Sequence, residues 1–302
     1  MWEPEPDWHP MPAGTGPSTL GVWRAEESGV PLVVKRLAAP QDHDLPELSD
    51  RRHFAYWRRA ADVASYSLVA DTAGLRGPSY SRVEEDEHGI TLVTEWVEDA
   101  ANSGLFLAHA MGRFAAVDLA AVRWLARDQL RDRLARVERR GGWATLSQTS
   151  AAEVAEVLWE LRWRFVDELD RLPQVVQHGD PVPANLPGRH GDRAVAVDWG
   201  SLGYGPAGAD LGYYLLSARE AFEPLLDAYL LGLPDGIATR DQVAHAAQVT
   251  SVYTVFTRAD WALSRVSGGE GPVGAKYRHP AVAPHLRALQ RQLPAIEALL
   301  ES

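Results

Sequence analysis

The segment His178-Gly-Asp180-Pro-Val-Pro-Ala-Asn185 and the later Val195-Ala-Val-Asp198-Trp-Gly200 hold two carboxylates and a carboxamide close together in sequence. All three sit on short loops that follow apolar, strand-like runs. Such a set suits phosphoryl transfer. One carboxylate beside an attacking hydroxyl orients it and accepts its proton. Asp and Asn oxygens are the hard donors that Mg²⁺ takes when it is shared with nucleotide phosphates. Little covalent chemistry then falls to the protein, and positioning with charge neutralisation carries most of the rate. Taken singly, His178-Gly-Asp180 is an ordinary polar turn and Asp198 merely ends a strand. The argument rests on the set.

Loops of this kind need a scaffold on both sides. From Met11 to Val97 the signals are those of a small strand-rich unit. Gly14 to Gly21 is a turn-rich loop, and Val22 to Ala25 and Leu32 to Leu37 read as strands bounded by glycine. A helix is expected from a cap at Ser49 or Asp50 to about Ser67, with Phe54, Trp57, Ala61 and Ala64 on one face. Two more strands are expected at Gly77–Glu84 and Ile90–Val97, joined by an acidic turn. Beyond Val97 the pattern turns helical: Ala100–Val117, Ala120–Arg139, Ala151–Leu172, Asp210–Leu231, Arg240–Val266 and Val282–Leu300. The short runs at Val175-Val176 and Ala194–Val197 interrupt it and carry the chemistry. Ser267–Pro280 is expected as a loop.

Composition narrows the partners. A chain of 302 residues is long enough for two lobes. A net charge of -11 argues against nucleic acid, which would demand a basic face. It is compatible with a cationic substrate, and equally with a charge kept for solubility. No run of eighteen or more uncharged apolar residues occurs, so no membrane span is expected. Met1 to Pro12 lacks the basic start and apolar middle of a signal peptide, which makes the cytoplasm the expected location. The absence of cysteine removes disulfides, thiolate metal sites and cysteine nucleophiles. Of 30 basic residues only Lys35 and Lys276 are lysines, and Lys35 sits within the apolar run Pro31–Leu37. A compact ammonium on a thin stem differs there from the planar fork used elsewhere in the chain.

His-Gly-Asp, four residues, then Asn, with Asp-Trp-Gly beginning thirteen residues later, resembles the catalytic segment of the aminoglycoside phosphotransferase family, small-molecule relatives of the protein kinases. The likeness continues through Gly203-Tyr-Gly-Pro-Ala-Gly-Ala-Asp210-Leu-Gly. The resemblance implies an α+β, bilobal protein-kinase-like fold, with a β-rich N-lobe over residues 1–97 and a mostly helical C-lobe over 98–302. It implies ATP and Mg²⁺ as cofactors. Asp180 would be the catalytic base, Asn185 and Asp198 the metal ligands, His178 a brace for the loop and Asp210 a structural acceptor. Lys35 would meet the α/β-phosphates. Gly14, Gly16, Ser18 and Thr19 would cover phosphates, and the main chain of Glu95 and Val97 would bind adenine at an interlobe hinge.

One departure stands out. Where the family offers a helix glutamate to pair with the strand lysine, this chain has Ala60, and Asp62 faces differently on a helix. Either another acid serves, or the lysine is less well oriented or serves differently. The acceptor implied is a hydroxyl on a small molecule, an aminoglycoside or another natural product, with a biosynthetic peptide as a further possibility. The competing reading is a kinase-fold protein, degenerate in catalysis, that binds a peptide or protein partner. A nuclease or phosphatase would want further carboxylate or histidine clusters. The eleven tryptophans, Trp124, Trp159, Trp163 and Trp261 among them, read mostly as core. Asp260 and Glu270 are candidates for an acceptor pocket, against a plain solvated surface.

Overall fold

Alternation along Leu32–Leu37 decides which way Lys35 points. Leu32, Val34 and Arg36 are buried on one face of strand β3 (Val30–Ala38), so Val33 and Lys35 project from the other. In the computed structural model, which describes residues 2–11, 16, 18–267 and 277–301, β3 is central in a five-stranded antiparallel sheet. The order is β1-β2-β3-β6-β5, with β1 at His9–Pro10, β2 at Thr19–Glu27, β5 at Ser81–Asp86 and β6 at Gly89–Glu95. Buried Arg36 donates from its two terminal nitrogens to Thr91 Oγ1 at 3.0 Å and Asp86 at 2.7 Å, and its guanidinium lies 5.0 Å from the Trp2 ring. The N-terminal tryptophans thus cover the sheet face opposite Lys35.

The first helix departs from expectation. α1 spans only Arg59–Ser65, and residues 50–58 are turns. Asp50 accepts from the Arg52 amide instead of capping a helix. The carbonyls of Arg51, His53 and Phe54 all turn toward the buried guanidinium of Arg59, at 2.6, 2.8 and 3.1 Å. A helix through residues 50–58 would direct those carbonyls along its own axis, where Arg59 could not gather them.

The helical part holds α2 (Gly104–Phe114), α3 (Gln129–Arg139), α4 (Ala152–Asp170), α5 (Ala209–Leu215), α6 (Phe222–Gly232), α7 (Arg240–Ser267), α8 (Ala283–Arg291) and α9 (Leu293–Leu300). The stretch expected at Asp210–Leu231 is thus two helices, broken at residues 216–221. The one expected at Val282–Leu300 breaks at Gln292, two residues before Pro294, whose ring has no N–H for a continuous ladder. Residues 120–128 are turns, so the helix expected from Ala120 begins at Gln129. α2 and α6 approach closely at Gly112, where an added Cβ would lie 2.1 Å from the Tyr229 carbonyl oxygen. Glu270, like Gly14, lies outside the described residues. Asp260 is half-buried and is held by Thr145, which donates to it from both amide and hydroxyl. Trp159 and Trp163 pack against the core around α7, whereas Trp261 is 36% exposed and is not core.

Two small sheets carry the loops of interest. β7 (Gln174–Gln177) pairs antiparallel with β10 (Gly203–Pro206). β9 (Arg193–Val195) pairs antiparallel with β8 (Gly188–His190) and parallel with β4 (Leu75–Arg76). The sequence pattern did not reveal β4. It takes a segment that follows α1 and staples it to the strand preceding Asp198. Val63, Val69 and Leu75 accordingly share one buried core with residues of α2, α5 and α6.

Candidate active site

The His178-Gly-Asp180 segment leaves the end of β7 through a turn that only glycine fits. Gly179 has φ +82°, and a Cβ there would lie 2.4 Å from the Ser201 carbonyl oxygen. Asp210, at the start of α5, accepts from the His178 amide at 2.7 Å and the Gly179 amide at 2.9 Å. Burial pushes the Asp210 carboxyl up, and the nearby His178 and these two amides oppose that. The His178 ring is wholly buried against Trp199, 4.7 Å between centroids. Its Nδ1 takes the Asp180 amide at 3.3 Å, and its Nε2 meets the Val197 carbonyl at 2.9 Å. One tautomer, with the proton on Nε2, satisfies both contacts. His178 therefore braces the Asp180 loop against the Asp198 loop.

The two loops are joined a second time. Asn185 Nδ2 donates to the Asp180 carbonyl at 2.9 Å and approaches its Oδ2 at 3.3 Å, and the Val197 amide donates to the Asn185 carbonyl at 2.9 Å. This leaves the Asn185 Oδ1 unclaimed among the described residues. Asp198 is in the left-handed region at φ 58°, ψ 57°, a conformation that aspartate tolerates at a cost on the order of 1 kcal/mol. Its side chain, 41% exposed, receives Lys35 Nζ on Oδ1 at 2.8 Å. The Lys35 charge holds the Asp198 carboxyl below the usual range, against the opposing effect of burial. The free Asp198 oxygen and Asn185 Oδ1 form a hard oxygen pair of the kind that suits a divalent cation also held by phosphates. Among the described residues no cluster of three or more His, Cys, Asp or Glu exists that would hold an ion without such help.

Gly16, Ser18, Thr19, Lys35, Asp180, Asn185 and Asp198 line one cleft of about 330 Å³. Lys35, Asn185 and Asp198 also bound a contiguous cavity of about 520 Å³ that runs back to Glu95 and Val97. Apolar groups including Val33, Val63, Leu92 and Val197 line that deeper part. Its Glu95 amide is taken by the Tyr80 carbonyl and its Glu95 carboxylate by the Ser79 amide, whereas the Val97 amide donates to no described residue. His178 and Asp210 lie beneath the cleft and do not line it. Every described residue expected to act in catalysis, metal binding or nucleotide binding therefore either faces this continuous space or supports a loop that does.

Ala60 faces both cavities. Asp62 is not the substitute acid, because Arg58 holds it at 2.8 Å and also binds Glu85. Lys35 takes Asp198 instead. Three residues that the sequence did not single out are also present. Arg59 adds the Gly200 carbonyl, at 3.1 Å, to the three carbonyls it already collects, which ties α1 to the loop after Asp198. Arg258 of α7 brings Nη2 to 3.7 Å from Asp180 Oδ1. The Tyr213 ring lies under that guanidinium at 4.3 Å, and its phenol is pushed up by burial first and by the Asp180 charge next. Arginines on helices carry no distinguishing signal in a chain this rich in them.

Comparison with known proteins gives the family and the fold. Residues 11–245 match the phosphotransferase enzyme family, APH. Among solved structures, the chain is similar to the choline kinase LicA from Streptococcus pneumoniae, at 12% identity and a TM-score of 0.57, covering 95% of this chain and 92% of that one. It is similar to the aminoglycoside 2'-phosphotransferase-IIIa seen with GDP, at 10% identity and 0.57, covering 94% and 91%. The amicoumacin kinase hAmiN, seen with AMP-PNP, Ca²⁺ and Ami, gives 12% and 0.55, covering 97% and 93%. At such identities the likeness speaks for the fold, which is the bilobal kinase-like one. No curated protein matches by sequence.

Proposed function

The chain belongs to the phosphotransferase enzyme family, and we propose that it moves the γ-phosphoryl group of ATP to a hydroxyl of a small molecule. The observation that carries the reading is the convergence of Lys35, Asp180, Asn185 and Asp198 on one cleft from three separate segments. In this reading the acceptor hydroxyl loses its proton to Asp180 as its oxygen bonds to the γ-phosphorus. The bond from that phosphorus to the bridging oxygen breaks, and ADP leaves with the electron pair. Lys35 neutralises the α/β-phosphates once it exchanges Asp198 for them. Asn185 and Asp198 would hold Mg²⁺, which supplies charge neutralisation at the phosphates. Gly16, Ser18 and Thr19 would close over the phosphates, with adenine in the apolar part of the cavity near the Glu95 and Val97 main chain. His178 and Asp210 position the loop. That similar folds occur in choline, amicoumacin and aminoglycoside kinases supports a small-molecule acceptor over the peptide-binding alternative.

Thermal unfolding tests the nucleotide site. A ligand that binds only the folded state raises the midpoint. Millimolar Mg·ATP is expected to raise it by several degrees, less so without Mg²⁺, and to leave Asp198→Ala nearly unmoved. No shift in the parent chain would defeat the reading.

The vacancy at Ala60 yields a further expected result. Glutamate there would face Lys35 across the cleft and give it a partner other than Asp198. Ala60→Glu is expected to raise ATP turnover a few-fold, measured as steady-state ADP release. An unchanged or lower rate would show that the Lys35–Asp198 pair does not limit the enzyme.

A further inference from the structure

A second cavity of about 270 Å³, which none of the roles above uses, shares Arg258 with the surroundings of Asp180. Arg258 stands at its boundary, with Asp180 at 3.7 Å. The cavity is also lined by Ser217, His285, Arg287 and Arg291, and no carboxylate lines it among the described residues. Arg287 is exposed and makes no ion pair among the described residues. Arg291 spends one N–H on the Leu216 carbonyl at 2.8 Å. Arg258 reaches Asp180 only at a distance too long for a hydrogen bond. His285 is pushed down, by burial first and then by Arg258. Each guanidinium offers five N–H donors, and most of these are unspent here. Three cations gathered on one cavity repel one another unless an anion sits among them. In a chain with a net charge of -11, such a grouping, one member of which neighbours the base, is not the general character of the surface.

We propose that this cavity is the acceptor subsite and that it selects a hydroxyl compound bearing an anionic group, carboxylate or phosphate. The proposal rests on the phosphotransferase reading and gives it a substrate class. The acceptor's anion would meet Arg258, Arg287 and Arg291 while its hydroxyl reaches Asp180. A cationic acceptor, which the overall charge alone would suggest, meets repulsion at that place.

Calorimetric binding of D-glycerate, glucose 6-phosphate, glycerol, choline and kanamycin provides the test. It is run on the parent chain, Arg287→Gln and Arg287→Glu, at low and high salt. At least one of the two anions is expected to bind, more weakly as salt rises, and which of them binds tells carboxylate from phosphate. Arg287→Glu is expected to weaken that binding tenfold or more and Arg287→Gln by less, with the affinity for Mg·ATP unchanged. Preference for choline, kanamycin or glycerol would overturn the proposal. So would failure of both anions to bind, or anion binding indifferent to Arg287→Glu. The anion titrations need no nucleotide, so a chain that binds them but not Mg·ATP would defeat the functional reading and leave the anion site standing.

Discussion

Asp180→Asn is expected to lower kcat about a thousandfold, within the range that a positioned general base contributes. Nucleotide affinity should change little. The substitution keeps the side chain's shape, and the main contact of Asn185 is to the Asp180 backbone carbonyl, at 2.9 Å, which the variant retains. Asp210 and His178 hold the loop through main-chain amides that the substitution does not touch. Loss confined to kcat is the signature of an interaction made in the transition state. Steady-state kinetics beside a nucleotide titration separates the outcomes. Lost nucleotide binding would make Asp180 a structural residue, and retained turnover would remove it from the chemistry.

Arg59→Leu is expected to destabilise the fold by about 3 kcal/mol, because four carbonyls lose a buried charged donor. Burial draws the Arg59 guanidinium down to about 10, so it stays charged at neutral pH. For a chain of this size the loss corresponds to a fall in midpoint on the order of 5 °C. The Gly200 carbonyl is one of the four, so the loop after Asp198 should loosen and Mg·ATP should bind more weakly. Arg59→Lys, with one ammonium for four acceptors, should recover only part of either loss. A midpoint within 1 °C of the parent would show that the carbonyls find other partners.

What the sequence disclosed and what it hid follow from locality. Glycine, strand alternation and loop carboxylates are local signals, and they led to Lys35, Asp180, Asn185 and Asp198, which meet in one cleft. The α+β, two-lobed plan was legible in the change of periodicity near Val97. The parts that escaped depend on distant partners. Residues 50–58 looked helical because nothing local shows that Arg59 will collect their carbonyls. The two-residue strand at Leu75–Arg76 exists only through its pairing with Ala194–Val195. Arg258 is 78 residues beyond Asp180 in a long helix, with no neighbour to mark it. The break within Asp210–Leu231 interrupts an apolar pattern that runs straight through it, whereas the one near Gln292 has a local mark in Pro294 that the apolar pattern overrode.

Transfer of label from γ-labelled ATP tests the central claim most directly. With Mg²⁺, a hydroxyl acceptor and the parent chain, the label is expected in a phosphomonoester of the acceptor, with one ADP formed for each. Removal of Mg²⁺ should abolish the transfer, and Asp180→Asn should slow it about a thousandfold. Bound Mg·ATP without acceptor-dependent ADP, or label recovered only as inorganic phosphate, would contradict the account.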